Sequence, residues 1–309
     1  MRMNLIEDLK IALEHDLNRL GCKISNTDSA HDLLTRWFDY KQRMIAPVPR
    51  QVEGSGRFSQ SRKKLSTDEN LALDAIIKKL KSGDDVNGHL SKDILNADRP
   101  DLLMADWKIH HVHISNTKKL PGDFFFKRAD HLAFAIVNSA SVYFLDIFSH
   151  GEENVWSKDD LLKIVKESRP SLLEGREFVG RLEPDIPISS AERDQLRRAG
   201  INVPTVLGDS IVFPPGGGIT AAGTPISATL QANKIWNTLA EVQLYLDHPD
   251  TAQELAGQLG CNANEISLRL TWKDGEMFLQ EETTGKYMKL DGPTVSKRGA
   301  EVVRRRMGR

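Results

Sequence analysis

Apolar residues recur every three or four positions at the start of the chain. Leu5, Ile6, Leu9, Leu13, Leu17 and Leu20 form one stripe and predict a helix over 3–20, stopped at Gly21. Ala30, Leu33, Leu34, Trp37, Phe38 and Met44 predict a second helix over 29–44, capped by Thr27 or Asp28 and ended by Pro47 and Pro49. Residues 46–65 break the pattern. With Gly54, Gly56, several serines, Arg57, Arg62, Lys63 and Lys64, they are expected to be an exposed connector of mild positive charge. Ser66 and Glu69 then have capping-box spacing, and Leu71, Leu73, Ile76, Ile77 and Leu80 carry a third helix to about 82.

The period changes beyond Arg99-Pro100. Residues 107–114, 130–138 and 141–149 read as strands, the last two joined by a tight turn at 138–141. Ser157 and Asp160 have the spacing of another capping box, opening a helix to about 167. Past Pro184 and Pro187 come a helix over about 190–199, a strand at 210–213, a glycine-rich run at 215–223, and helices over 226–247 and 250–259. Strands at 265–273 and 276–282 meet at Asp274-Gly275, a strong hairpin dipeptide, and a further strand covers 286–290. The expected class is α+β. N-terminal helices lead to a small central antiparallel sheet flanked by helices, then a second α+β unit with a C-terminal β-hairpin. Three consecutive regions are expected: helical 1–60, central 61–170, and 171–309 with the glycine-rich loop.

Composition narrows the class. The 309 residues carry a net charge of −1, so any nucleic-acid contact must come from a local basic patch. Two cysteines, Cys22 and Cys261, fit a reducing compartment without a disulfide framework. The first residues lack a signal-peptide core, and no apolar run approaches a membrane span, so a cytoplasmic protein with no membrane contact is expected.

Five of the nine histidines fall between Asp106 and His150. On a strand over 107–114, Trp107, Ile109, His111 and His113 share one face. Two imidazoles on one face can ligate a metal ion if His131, His150 or Asp146 joins them. They can also do acid–base work without a metal, because histidine both takes and gives a proton near neutral pH. Cutting RNA through its 2′-hydroxyl needs a base, an acid and cations for the phosphate. His111, His113, His131 and His150 are candidates for the first two roles. Lys127 and Arg128, with Lys118 and Lys119, are candidates for the third, and no cofactor is called for. Tyr143 and Asp146 lie on opposite faces of their strand. Asp146 is expected to pair with Arg128 or with a histidine, which it would then orient, or to sit at an exposed edge. The run at 215–223 lacks the Gly-Lys-Ser/Thr ending of a phosphate loop, so contact with a partner or another subunit is the expectation there. The arginine-rich tail, Lys297 to Arg306, is a solvated end or a phosphate contact.

The segment 105–167 runs Leu-Ala-Phe-Ala-Ile-Val, short turn, Val-Tyr-Phe-Leu-Asp-Ile-Phe, His, then a capped helix. In this pattern it resembles the core of the RelE/ParE/HigB-type toxin superfamily. The stretch Asp-Trp-x-Ile-His-His-x-His is also similar to one shared by a widespread bacterial family. The toxin resemblance implies a small ribonuclease or gyrase-directed core, whose ribonuclease members use basic and histidine or tyrosine side chains without a metal. This chain departs from that pattern in being longer, not basic overall, and apolar along its hairpin. The expectation is a toxin-like effector in a toxin–antitoxin or phage-defence system, a metal-independent ribonuclease with RNA as substrate and an antitoxin or other protein as partner. The alternatives are a non-catalytic interaction subunit, with 200–290 as its contact surface, and a metal-dependent hydrolase built on His111 and His113.

Overall fold

Asn4 starts the first helix by accepting the Glu7 N–H on its side-chain oxygen, and α1 (Leu5–Arg19) buries Leu5, Leu9, Leu13 and Leu17. The computed structural model describes residues 4–290 except 97, 181–187, 248–250, 263–265 and 274, and except the side chains of 252, 258 and 259. The expectations placed on Pro184, Pro187, Asp274 and the arginine-rich tail therefore lie outside the described residues. The chain continues through α2 (Ala30–Arg43), β1 (Gln51–Gly54), α3 (Gly56–Arg62), α4 (Thr67–Ser82), α5 (Leu102–Trp107), β2 (Ile109–His113), β3 (His131–Val137) and β4 (Ser141–Ser149). After these come α6 (Asp160–Ser168), β5 (Glu177–Val179), α7 (Ser190–Arg198), β6 (Thr205–Leu207), β7 (Ser210–Val212), α8 (Ile226–Leu246), α9 (Thr251–Leu259), β8 (Leu268–Lys273), β9 (Glu276–Glu281) and β10 (Tyr287–Lys289). The protein is α+β. No helix among the described residues is long and apolar enough to cross a membrane.

Several local expectations change. The supposed connector holds β1 and α3: Ser55 caps α3 by accepting the Phe58 N–H, and its hydroxyl donates to the Leu145 carbonyl at 2.5 Å. Four strand residues and seven helical ones are too few to show a period. The capping box at Ser66 and Glu69 forms, and Gly83 closes α4 in the left-handed region at φ 84°. Trp107 is helical, not strand. Asp101 accepts the Met104 N–H at 3.0 Å to cap α5, and Lys108 ends that helix at φ 55°. Ser157 caps nothing; its hydroxyl donates to the Ser190 carbonyl at 2.6 Å, and α6 starts without a side-chain cap.

Contacts group the chain into two compact units, 1–38 with 229–309, and 39–228. The first is discontinuous, which a division into consecutive regions does not describe. In it α1 packs on β8, where the Leu270 N–H donates to Asp8 at 3.0 Å. The sheet runs β10-β9-β8, all antiparallel. Trp37 meets Trp272 edge to face at 5.1 Å and donates its indole N–H to Asp16 at 2.9 Å.

The second unit is built on a sheet ordered β1-β4-β3-β2, with β1 parallel to β4 and the other pairs antiparallel. One face carries Ile109, Leu132, Phe134 and Leu145, buried with Trp107 and with Leu161, Leu162, Ile164 and Val165 of α6. Phe58 of α3 stacks on Phe144 from the other side at 4.8 Å. A bulge leaves Leu145 unpaired, since Phe134 faces Asp146 while Ala135 faces Phe144. A second sheet, β5-β7-β6, adds Leu207 and Val212 to the same apolar cluster.

The glycine-rich run packs on its own chain, inside this unit. Gly216 and Gly218 donate their N–H groups to the carbonyls of Asp106 and Ala105, at 2.8 and 3.0 Å. A Cβ on Gly216 would overlap the Ala105 carbonyl oxygen and stand 2.7 Å from its carbon, so only glycine lets the backbones approach this closely. The contact seen for this loop is with α5 of its own chain.

Candidate functional site

Strand β2 aims His111 and His113 the same way. They pair with Phe134 and Leu132 of β3, and their ring centroids lie 6.3 Å apart. His150, just past β4, stacks on His113 at 5.6 Å, and Trp156 closes on His111 at 4.7 Å. The three histidines line a cavity of about 310 Å³ together with Arg43, Arg99, Arg128 and Arg198. Asp93, Asp101 and Asp194 also border it.

Burial drives His111 and His113 toward the neutral form. His113 is pushed down to about 3 by burial first, with His111, His150 and Arg128 adding positive surroundings. His111 is lowered by burial, against the opposing pull of Asp101. Asp101 stands 3.7 Å from His111 Nδ1, beyond hydrogen-bond reach, so the two do not form an ion pair while the ring is neutral. The Ala129 N–H donates to His113 Nδ1 at 3.3 Å. The proton of the neutral His113 ring therefore sits on Nε2, and Nε2 is the nitrogen left to serve a ligand.

A second cavity, of about 520 Å³, shares Ser91, His113 and Arg128 with the first and is bordered by Lys92, Lys119, Lys127 and three phenylalanines. Together the two linings hold seven lysines and arginines against four aspartates. That excess of three positive charges occurs in a chain whose net charge is −1. Arg43, Arg99 and Arg198 are paired with Asp39, Asp93 and Asp194, so the positive excess lies with Lys92, Lys119, Lys127 and Arg128.

The other sequence-derived candidates lie apart from the histidine group. His131 is bound through Nδ1 to Glu69 at 2.6 Å, at the first turn of α4. Burial works against ionisation of Glu69, but the bonds from His131 and Ser66 hold its carboxyl below the usual range. Asp146 is 3% exposed and touches no histidine. It accepts the Ser61 hydroxyl at 2.6 Å and the Ile147 N–H at 2.8 Å, and Arg57 lies 3.4 Å away. Phe144 and Asp146, two apart on β4, both turn toward α3, the side of the sheet opposite His111 and His113. Tyr143 lies under the Arg169 guanidinium at 4.9 Å. Lys118 bonds the Asp123 carbonyl and sits over the Phe126 ring at 5.0 Å.

Sequence reasoning missed Arg43, Arg99, Arg198, Asp101 and Trp156. Helix α7 held the most accessible signal, being polar all round with arginines at positions 193, 197 and 198. Arg193 and Arg197 are buried against Trp107, at 5.8 and 4.1 Å from the ring. Arg197 donates to Asp106 at 2.6 Å and to the Trp156 carbonyl at 2.8 Å. Arg43 is held by Asp39 at 3.1 Å and the Asp93 carbonyl at 2.9 Å. Among the described residues no three His, Cys, Asp or Glu side chains are grouped to hold a metal ion, so His111 and His113 have no third ligand there. No protein family, curated protein or solved structure matches the chain.

Proposed function

We propose that this chain is an RNA-directed, toxin-type effector that cleaves RNA without a metal ion. The observation that carries the reading is the convergence of His111, His113 and His150 with four arginines on one cavity. In its neutral form His113, with Nδ1 occupied, hydrogen-bonds a phosphate oxygen through Nε2–H, while His111 is the base for the 2′-hydroxyl and His150 the acid for the leaving oxygen. The arginines, Arg128 foremost, take the charge on the phosphate. His131, Asp146, Tyr143 and Lys118 have no role in this scheme. The test is RNA cleavage by purified protein in the presence of a chelator, with growth inhibition measured in parallel. Loss of both in the His111→Ala, His113→Ala double variant is expected; undiminished cleavage in that variant would falsify the assignment.

A protein partner, an antitoxin or another subunit, belongs to the same reading. The feature favouring it is the sheet β5-β7-β6, where Phe178 and Val206 flank Ile211 across the strands and remain largely exposed. Co-purification with the products of neighbouring genes, lost in Phe178→Asp, is its measurement.

A further inference from the structure

The second cavity is built differently from the first. Its wall is the run Phe124-Phe125-Phe126, set among Lys92, Lys119 and Lys127. Phe126 anchors the run. Its ring stacks on His89 at 4.1 Å, its N–H donates to the Gly88 carbonyl at 2.8 Å, and Lys118 bridges to it across the loop. Phe124, two residues earlier, is 50% exposed and meets Phe125 edge to face at 5.0 Å. The loop therefore has a fixed base and presents an aromatic ring to solvent. Fixed aromatic faces with flanking lysines are what a strand of unpaired bases recognises, since every base has a face to stack and every phosphate a charge to place. A duplex keeps its bases stacked inside and offers only its phosphates and groove edges. The two cavities meet at His113 and Arg128, so a nucleotide on the phenylalanines is next to a phosphate at the histidines.

We propose that Phe124 and Phe125 form a base-stacking subsite for the nucleotide adjoining the phosphate held at Arg128, which restricts the site to single-stranded RNA. This rests on the reading of the histidine cavity as an RNA site. The full chain is titrated into a labelled oligoribonucleotide carrying 2′-O-methyl groups, which blocks cleavage through the 2′-hydroxyl, and into the same strand annealed to its complement, at one salt concentration. The single strand is expected to bind at least about tenfold more tightly than the duplex. Phe124→Ala is expected to weaken single-strand binding by about tenfold, and Phe124→Trp to retain it. Phe124 is exposed, so these variants fold. Equal affinity for the two forms, binding of neither, or indifference to Phe124→Ala and Phe125→Ala overturns the subsite. Cleavage of unmodified RNA by the same preparations is read separately. Selective binding without cutting leaves the subsite standing and removes the ribonuclease reading. Cutting with no strand preference and no effect of Phe124→Ala does the reverse.

Discussion

His113 and His150 stack face to face, with ring centroids 5.6 Å apart and planes inclined by 26°. Two imidazolium ions do not share such an arrangement at low cost, and His113 is the ring held neutral, at about 3. An anion bound between it and Arg128 reverses the local field. Inorganic phosphate is therefore expected to raise the His113 pKa by about one unit or more. Imidazole NMR titrations with and without phosphate measure this directly. An unmoved His113 curve at saturating phosphate would mean that the cavity does not bind anions beside it.

Acid should unfold the protein earlier than its carboxylates alone require. His89 and His110, like His113, are depressed mainly by burial, each to about 4. In the unfolded chain such rings titrate near 6.5. As pH falls below that value the unfolded state takes up protons first. The stability these neutral rings contribute is complete above about 6.5 and is lost between there and about 3 to 4, at ~1.4 kcal/mol per pH unit for each ring. Neither nitrogen of the His110 ring has a hydrogen-bond partner. His110→Phe is expected to flatten the fall of melting temperature between pH 6.5 and 4. An identical slope in that variant would remove His110 from the account.

Gly216 is the tightest backbone approach in the glycine-rich run. Gly216→Ala drives a methyl group into the Ala105 carbonyl and should cost about 3 kcal/mol in denaturant unfolding. A Cβ at Gly151 would meet only open space, so Gly151→Ala is the neutral control. Equal midpoints for the two variants would show that the loop is not clamped on α5.

Asp146 separates structural from catalytic roles. Asp146→Ala leaves the Ser61 hydroxyl and the Ile147 N–H without their acceptor and should cost about 2 to 3 kcal/mol. Asp146→Asn can keep both bonds and loses only the Arg57 ion pair, for under ~1 kcal/mol. Neither change should shift the pH profile of RNA cleavage. A shifted profile would restore Asp146 to the histidine group.

Strands β2, β3 and β4 were legible because apolar runs of strand length and a tight turn mark them, whereas the four residues of β1 were too few to show a period. His111 and His113 on one face followed from the alternation of side chains along a strand. The split at the end of β4 was not legible: past the bulge at Leu145, Phe148 lies on the face of Leu132 while Asp146 stays with Phe144 toward α3, and no composition signals a bulge. His131 was misplaced for a related reason, because adjacency to Leu132 says which face it takes but not that Glu69 waits there. The arginines of α7 were hidden by the general rule that charge sits in water. Arg193 and Arg197 are buried against an indole with carboxylates to meet them, and only the fold supplies those partners. The phenylalanine run at 124–126 carries no sequence signature, because three consecutive apolar residues fit no period.

Helix α5, which leads directly into β2, is fastened by residues made much later. Arg197 is 91 positions beyond Asp106, and Gly216 and Gly218 are further still. At a synthesis rate of about 5–20 residues per second, β2 leaves the ribosome roughly 5 to 20 s before its fastenings exist. Asp194 and Arg198, which border the histidine cavity, are equally late. A growing chain thus carries its histidines without the wall that completes their cavity, and any activity they support is timed to the end of the unit's synthesis.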